Sequence, residues 1–149
     1  MKDQNTVYED WKTRFPLCFE REGCCMTFGL EFNSGWNSIV EELLGKIEAH
    51  LAEKYAAGFR DPDYGFQIDQ IKEKLGTLRF YVCGADDPIF NFILDAERKS
   101  AQTCELCGAS GSLHCRKGAF WLHTFCPAHA EEHTYGDTYE PYKSEDHDI

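Results

Sequence analysis

The chain has 149 residues, a formal net charge of −11 and an ordinary hydrophobic content of 42%. This length suits one domain, or a main domain with a small attached module. No apolar stretch reaches the roughly 18 to 20 residues that cross a bilayer. The N-terminal residues also lack the apolar segment of a signal peptide. These features exclude a membrane-spanning protein and predict a reducing, cytoplasmic location for the eight cysteines.

The acidic charge is spread along the chain rather than confined to one region. Acidic residues outnumber basic residues in each of the segments 1–103, 104–133 and 134–149, and no run of Lys or Arg occurs. Nucleic-acid phosphates repel such a chain unless a basic patch is segregated on one face. The charge therefore argues against direct nucleic-acid binding. It favours a basic protein partner, or a partner that itself binds nucleic acid.

The first 25 residues predict a short helix and a docked loop around Trp11 and Phe15. Residues 26–32 alternate weakly between apolar and other side chains, which predicts a strand. Four cysteines outside the C-terminal third have spacings unusual for zinc, and we interpret them as buried or half-buried thiols, with a second metal site as the alternative: Cys18, Cys24, Cys25 and Cys83.

The segment that follows predicts a long amphipathic helix packed on a sheet. Asn33 or Ser34 can accept the free amide protons at its start. Its apolar residues recur at spacings of three and four: Trp36, Ile39, Val40, Leu43, Leu44, Ile47, Leu51 and Tyr55.

Residues 66–82 predict a β-hairpin whose turn is Leu75-Gly76. A change in apolar parity between Ile68 and Ile71 predicts a bulge or an early strand end. Leu78, Phe80 and Val82 lie on one face of the second strand by alternation.

A second helix begins near Asp87, which we expect to cap it, with Pro88 in its first turn. Its predicted buried face comprises Ile89, Phe90, Ile93, Leu94 and Ala96. We expect one core between the helices and the hairpin that contains Trp36, Leu43, Ile47, Leu78, Phe80 and Ile93.

Two ligand pairs dominate the C-terminal third: Cys104 with Cys107, and Cys126 with His129, each separated by two residues. Two intervening residues let one tight turn aim both side chains at a single ion. Zn²⁺ prefers a tetrahedral shell of thiolates and imidazole, and a site with four protein ligands is structural. The pairs therefore predict one structural Zn²⁺.

Between the pairs, residues 113–116 and 119–124 predict a hairpin, and Cys126 precedes a short helix. Knuckle, hairpin and helix follow one another in treble-clef order. We therefore predict an α+β protein in which two main helices pack on a small antiparallel sheet, followed by a C-terminal treble-clef-like zinc module. The body is residues 1–103, the module 104–133 packs against it without a linker, and the acidic tail 134–149 is predicted to be disordered.

Two further activities are compatible with this module. A treble-clef, HNH-like nuclease would need a hairpin histidine to activate water and a second metal, and the candidates are His114, His123 and His133. A zinc-dependent nucleic-acid-binding regulator would use a contact patch at the hairpin tip, which consists of Arg116, Lys117, Phe120 and Trp121.

Three motifs in this order resemble a group of small bacterial and bacteriophage zinc-binding proteins: "GW" at 35–36, "QIKEKLGTLRFY" at 70–81, and "CELCG" followed by "CPAHA". The resemblance covers residues 35–130. It implies a zinc-bearing α+β accessory protein and supplies no catalytic residue. A phage setting favours a protein that blocks host machinery or host defence.

The preferred hypothesis is therefore a non-enzymatic, zinc-stabilised acidic binding protein. We expect it to be a phage or mobile-element inhibitor or adaptor that acts on a host protein, including a protein of host defence. The nucleic-acid-binding regulator is the alternative, and the nuclease is third.

Overall fold

The computed structural model describes residues 3–61, 63–132 and 138–143. The helices accompany two separate three-stranded sheets, which confirms the predicted α+β class. The helices are α1 Gln4–Arg14, α2 Asn37–Ala56, α3 Asp87–Ser100 and α4 Pro127–Glu131. The strands are β1 Leu30–Glu31, β2 Gln67–Lys74, β3 Thr77–Cys83, β4 Ser112–Arg116, β5 Leu122–Phe125 and β6 Tyr139–Pro141.

The first sheet has the order β1-β2-β3. Strands β2 and β3 are antiparallel, as predicted, but β1 pairs in parallel with β2. The sheet is therefore mixed rather than antiparallel. The strand predicted over residues 26–32 is wrong for most of its length, because Cys24–Phe28 forms a 3-10 helix. Gly29, with a positive φ of 69°, turns the chain from that helix into β1.

The β2–β3 hairpin follows its prediction closely. Leu75 and Gly76 both have positive φ, 53° and 80°, which is the geometry of a tight two-residue turn between twisted strands. The register shifts between Ile68 and Gln70, where a bulge was predicted. The bulge reconciles the apolar parity of the two halves of β2, so Ile68 and Ile71 are both fully buried.

One hydrophobic core lies between α1, α2, α3 and this sheet. The six residues predicted to share it all belong to it, which confirms the periodicity argument: Trp36, Leu43, Ile47, Leu78, Phe80 and Ile93. Helix α1 contributes Tyr8 and Trp11, and the loop after it contributes Phe15, Cys18 and Phe19. The N-terminal segment is therefore part of the core.

The start of α2 differs from the prediction. A 3-10 turn over Ser34–Trp36 precedes the helix, and the side chain of Asn33 makes no capping hydrogen bond. The helix itself begins at Asn37 without a side-chain cap. Trp36 is placed instead by its indole Nε1, which donates to the carbonyl oxygen of Thr103 at 2.8 Å. A tertiary contact replaces the predicted cap.

Helix α3 also corrects two predictions. Asp86, not Asp87, is the cap, and its carboxylate accepts from the backbone N–H of Ile89 at 3.2 Å. Phe90 and Leu94 are 48% and 47% exposed rather than buried. They lie one residue beyond Ile89 and Ile93, which rotates them by about 100° away from the core-facing stripe.

The second sheet has the order β5-β4-β6, and all its pairs are antiparallel. Strand β6 lies in the tail that was predicted to be disordered, so that prediction is wrong for residues 138–143. Tyr139 is buried against Phe125, with ring centroids 5.1 Å apart. Burial of the Tyr139 ring stabilises β6, although the residues around it are mostly polar. The rest of the tail, 134–137 and 144–149, lies outside the described residues.

Within the described ranges, no helix combines the length and apolarity needed to cross a membrane.

Replacing Leu43 with alanine should lower the free energy of unfolding by about 2 to 5 kcal/mol, because Leu43 is 2% exposed in the core. Urea denaturation followed by far-UV circular dichroism measures the loss. Leu94→Ala on the exposed side of α3 is the matched control and should stay within about 0.5 kcal/mol of the original protein. Equal losses would contradict the assignment of the two faces.

Asp86 joins α3 to α2, since its carboxylate contacts His50 Nε2 at 2.7 Å and Lys54 Nζ at 3.0 Å. Burial raises the pKa of Asp86, but hydrogen bonds from His50, Lys54 and Ile89 outweigh it and lower the pKa to about 2. The ionised form therefore stabilises the fold above about pH 4, and this contribution disappears as pH falls towards the folded-state pKa.

Asp86→Ala should thus cost about 0.5 to 2 kcal/mol at pH 7 through loss of the cap. Asp86→Asn keeps a capping oxygen and removes the charge. The free energy of unfolding of Asp86→Asn should lie below that of the original protein at neutral pH, and this difference should become smaller between about pH 4 and pH 2. Paired denaturation curves at each pH measure this difference and cancel acid effects common to both proteins. A deficit that grows on acidification would contradict the assigned pKa.

Candidate metal centre

Two tight turns present the four predicted ligands. In the first, residues 104–108, the backbone N–H of Gly108 donates to the carbonyl oxygen of Cys104 at 2.9 Å. Gly108 has a positive φ of 80°, which closes this zinc knuckle between Cys104 and Cys107. In the second, Cys126 stands immediately before α4, and Pro127 occupies its first turn. His129 follows within the same short helix.

The structure brings the four ligand atoms to one point. Cys104, Cys107, Cys126 and His129 offer ligand atoms that all lie within 4.8 Å of one another. The Sγ atoms of Cys107 and Cys126 are 3.8 Å apart. His129 Nδ1 lies 3.5 Å from Cys104 Sγ and 3.2 Å from Cys126 Sγ. Imidazole Nδ1 is therefore the nitrogen that faces the three thiols.

These distances match a tetrahedral zinc shell. Zinc–sulfur bonds of about 2.3 Å at the tetrahedral angle place two sulfurs about 3.8 Å apart, and a sulfur and a nitrogen about 3.5 Å apart. Thiolates and imidazole are also the donors that zinc prefers. The Cys3His group could thus hold a metal ion such as zinc.

The local backbone assists ionisation of one ligand. Burial raises the pKa of Cys126, but backbone hydrogen bonds from His129 and Ala128 and contacts with the neighbouring thiols outweigh it and lower the pKa. A metal ligand must be a thiolate. The turn into α4 therefore presents Cys126 in a form prepared for metal binding.

The knuckle packs directly on the body at Gly35. The backbone N–H of Gly35 donates to the carbonyl oxygen of Glu105 at 3.0 Å. A β-carbon at Gly35 would lie 2.4 Å from the carbonyl oxygen of Cys104, which leaves no room for any side chain. With the bond from Trp36 to Thr103, this contact explains the "GW" pair in physical terms. These contacts pack the knuckle on the start of α2.

A second contact joins the β2–β3 turn to the module hairpin. Thr124 Oγ1 donates to the carbonyl oxygen of Gly76 at 2.6 Å. A β-carbon on Gly76 would come within 2.4 Å of the Leu113 side chain and 3.2 Å of the His123 backbone. Positive φ and close approach together favour glycine here.

A buried polar group beside this contact was not predicted from the sequence. Glu73, Glu105 and His123 bring carboxylate and imidazole atoms within 4.8 Å of one another. Glu105 is 1% exposed and contacts His123 Nδ1 at 2.5 Å. No spacing rule links these three residues, because they come from β2, the knuckle and β5.

Hydrogen bonding assigns the protons of this group. Trp121 Nε1–H donates to His123 Nε2 at 3.0 Å, so that nitrogen must carry a lone pair. His123 Nδ1 therefore holds the proton and donates it to Glu105. The backbone N–H of Thr124 donates to the other carboxylate oxygen at 3.3 Å. The chain of bonds connects an exposed tryptophan to the knuckle, and we interpret it as a structural link rather than a second metal site.

The two described hairpin histidines are buried. His114 is 6% exposed, and its Nδ1 contacts the carbonyl oxygen of Ser112 at 2.8 Å. His123 is 8% exposed and has both ring nitrogens engaged. Both belong to the hairpin packing. His133, the third candidate for a nuclease base, lies outside the described residues.

The predicted contact patch is brought together at the β4–β5 turn. Arg116 N–H donates to the carbonyl oxygen of Trp121 at 2.8 Å, which closes this end of the hairpin. Phe120 and Trp121 are 55% and 58% exposed, and Arg116 and Lys117 are exposed as well. The patch is defined here as these four residues, and its role as a binding surface stays a prediction.

The remaining thiols do not assemble a second cysteine site among the described residues. Cys18 is buried, and burial raises the pKa of its thiol. Cys83 Sγ donates to Asp69 Oδ2 at 2.8 Å, and this bond raises its pKa. Cys24 and Cys25 lie in the 3-10 helix and form no group of three metal ligands in the described chain.

No family model, curated protein or solved structure matches this sequence.

We expect one Zn²⁺ per chain, bound by the Cys3His group. Structural zinc in small peptides contributes on the order of 10 kcal/mol, comparable to a whole domain's stability. Cys104→Ser should therefore abolish zinc binding and unfold at least the C-terminal third. Elemental analysis and amide hydrogen exchange of the purified protein measure these two effects.

Cys24→Ser is the matched control, because Cys24 is exposed and lies outside the group. It should retain one zinc and the original protection pattern. The zinc assignment would be contradicted if the purified protein contained no metal and its fold were unchanged by a strong chelator.

Proposed function

We propose that this protein is a non-enzymatic, zinc-stabilised binding protein that acts stoichiometrically on a host protein. In this proposal it is an inhibitor or adaptor of phage or mobile-element origin, with a target that includes components of host defence. The origin rests on the resemblance to small bacterial and bacteriophage zinc-binding proteins. The proposed location is the cytoplasm, where reducing conditions keep the thiols available for zinc.

The observation that carries a non-enzymatic role is the closed ligand set. The chain itself supplies four converging ligand atoms at tetrahedral spacing. A catalytic zinc site keeps a position for water or substrate, whereas a site with four protein ligands holds structure. Zinc bound here would hold the knuckle against α4, so we assign it a structural role.

The state of the hairpin histidines argues against the nuclease. A general base must reach its substrate with a free ring nitrogen. His123 accepts from Trp121 on one nitrogen and donates to Glu105 from the other. His114 is buried and bonded to the chain. His123 therefore has no free ring nitrogen with which to activate water.

The distribution of ion pairs supports a basic partner. Several basic side chains already pair with acids of the protein: Lys46 and Lys99 with Glu42 and Asp95, and Arg14 with Asp10 and Glu41. A chain of net charge −11 therefore presents acids in excess of these pairs to its partner. Complementary charge accelerates association and sets specificity.

One observation favours the second candidate, a nucleic-acid-binding regulator. The contact patch combines two exposed aromatic rings with two cations, a composition that suits stacking on unpaired bases. Against it, two cations on a strongly acidic chain neutralise few phosphates. The same aromatic rings also suit the centre of a protein interface, where tryptophan is enriched.

The test begins with capture of the partner of the zinc-loaded, full-length protein from host lysate. Calorimetry with the purified partner then measures stoichiometry, and stopped-flow mixing measures the association rate. We expect a fixed stoichiometry and association that slows as salt increases. Reversal of two exposed acids, Glu53→Lys with Glu132→Lys, should slow association several-fold at low salt and less at high salt. The matched Glu→Gln pair should have a smaller effect.

Three results would contradict the proposal. The first is catalytic turnover at substoichiometric protein that is abolished by His114→Gln. The second is tighter binding to single-stranded nucleic acid than to any protein, lost in Trp121→Ala, which would promote the regulator. The third is association that does not respond to salt or to charge reversal.

A further inference from the structure

A cleft of about 450 Å³ lies beyond the C-terminal end of α2, away from the metal centre. Leu51 and Phe66 are buried residues that line it, and Tyr55, Phe59 and Tyr64 are further lining residues. It is bordered by Gly84, which follows β3, whereas the module contacts the opposite end of that hairpin at Gly76. Strand β3 has 7 residues, so the two ends are separated by about 23 Å.

Two aromatic rings beside the cleft are unusually exposed. Phe59 is 70% exposed and Tyr64 is 81% exposed. Tyr64 and Gly65 also line an adjoining cavity of about 210 Å³. Tyr64 therefore stands between two open volumes, where a ligand can reach its ring.

An aromatic face in this cleft already receives a guanidinium group. The Cζ atom of Arg60 lies 4.6 Å from the centroid of the Tyr55 ring. Arg60 also pairs with Glu20, and the other lining cation, Lys54, pairs with Asp86 at 3.0 Å. Carboxylates of the protein thus neutralise both cations of the cleft.

Asp61 lines the cleft, and Asp63 lines the adjoining cavity. Neither carboxylate forms an ion pair within the part of the chain that the structure describes. Asp61 Oδ1 accepts from the backbone N–H groups of Asp63 and Tyr64 at 2.9 and 3.2 Å. These bonds orient the carboxylate at the cleft and leave its Oδ2 for a ligand. Because both lining cations are paired, Asp61 is the lining charge of this cleft that is left for a ligand, and Arg21 lines the adjoining cavity.

We propose that this cleft accepts an arginine side chain from a basic segment of the protein partner. The guanidinium plane stacks on Tyr64, its N–H groups donate to Asp61 Oδ2, and its apolar stem lies against Phe59. Arginine fits better than lysine, because its planar guanidinium stacks on aromatic faces and is more weakly hydrated than an ammonium group. The unpaired carboxylate of Asp61 and the net charge of −11 on the whole chain favour a cation over a phosphate-bearing ligand.

The partner assignment rests on the proposed function, but the chemistry of the cleft is tested alone. Full-length, zinc-loaded, ¹⁵N-labelled protein is titrated with the tripeptide acetyl-Gly-Arg-Gly-amide, and amide shifts are followed. We expect shifts at Gly58, Gly65 and Gly84. The citrulline peptide, which has a neutral group of the same shape, should bind at least about 5-fold more weakly.

Tyr64→Ala and Asp61→Asn should each weaken the arginine peptide by about 3- to 30-fold. Both residues are exposed, and asparagine keeps the acceptor of the local turn, so the fold should persist, as unchanged zinc content and spectra elsewhere would verify. Phe90→Ala, at an exposed aromatic position on α3, is the control and should leave binding unchanged.

Equal binding of the arginine and citrulline peptides, shifts confined to other surfaces, or preferential binding of adenosine monophosphate at the same amides would overturn the inference. If the arginine peptide does not bind while the protein partner still binds stoichiometrically, arginine binding in the cleft is refuted and the proposed function stands. If the peptide binds as expected but no stoichiometric partner exists, the proposed function is refuted and arginine binding in the cleft stands.

Discussion

The contact between the zinc knuckle and the body is the constraint on which the rest of the structure depends. At Gly35 the two backbones approach so closely that a single β-carbon would strike the carbonyl oxygen of Cys104. Trp36 then reaches past this contact to bond Thr103 and fills the centre of the main core. One arrangement therefore sets the start of α2, the core and Cys104, the first residue of the Cys3His group. For this reason the module is better described as an extension of the body than as a tethered unit.

The second contact, at the β2–β3 turn, begins a series of hydrogen bonds that ends at an exposed tryptophan. Gly76 receives Thr124, and the neighbouring Glu105 fixes His123, which in turn fixes the indole of Trp121. Burial raises the pKa of Glu105, an effect that the bond from His123 opposes. An exposed tryptophan is thus held by a buried chain of hydrogen bonds. Because its orientation is already determined, such a ring loses little freedom on binding.

Two exposed surfaces lie on different hairpins, the contact patch on β4–β5 and the cleft beside β2–β3, and they differ in composition. The contact patch at the tip of the β4–β5 hairpin combines aromatic rings with cations. The cleft beyond α2 combines aromatic rings with the unpaired carboxylate of Asp61. A partner that presents basic residues meets a complementary charge at the cleft.

Periodicity and ligand spacing predicted the α+β class, the β2–β3 hairpin with its bulge, the core-facing residues and the Cys3His group, because apolar period and paired-ligand spacing are local patterns in the sequence. Tertiary structure decided the rest. Trp36 is placed by Thr103 rather than by a local cap, and Tyr139 brings β6 onto β4 despite its polar surroundings. Phe90 and Leu94 face solvent because only the face of α3 that carries Ile89 and Ile93 packs on the core. The group of Glu73, Glu105 and His123, and the cleft beyond α2, join residues from separate elements. No local pattern encodes such meetings, since they arise only when packed elements bring distant side chains together.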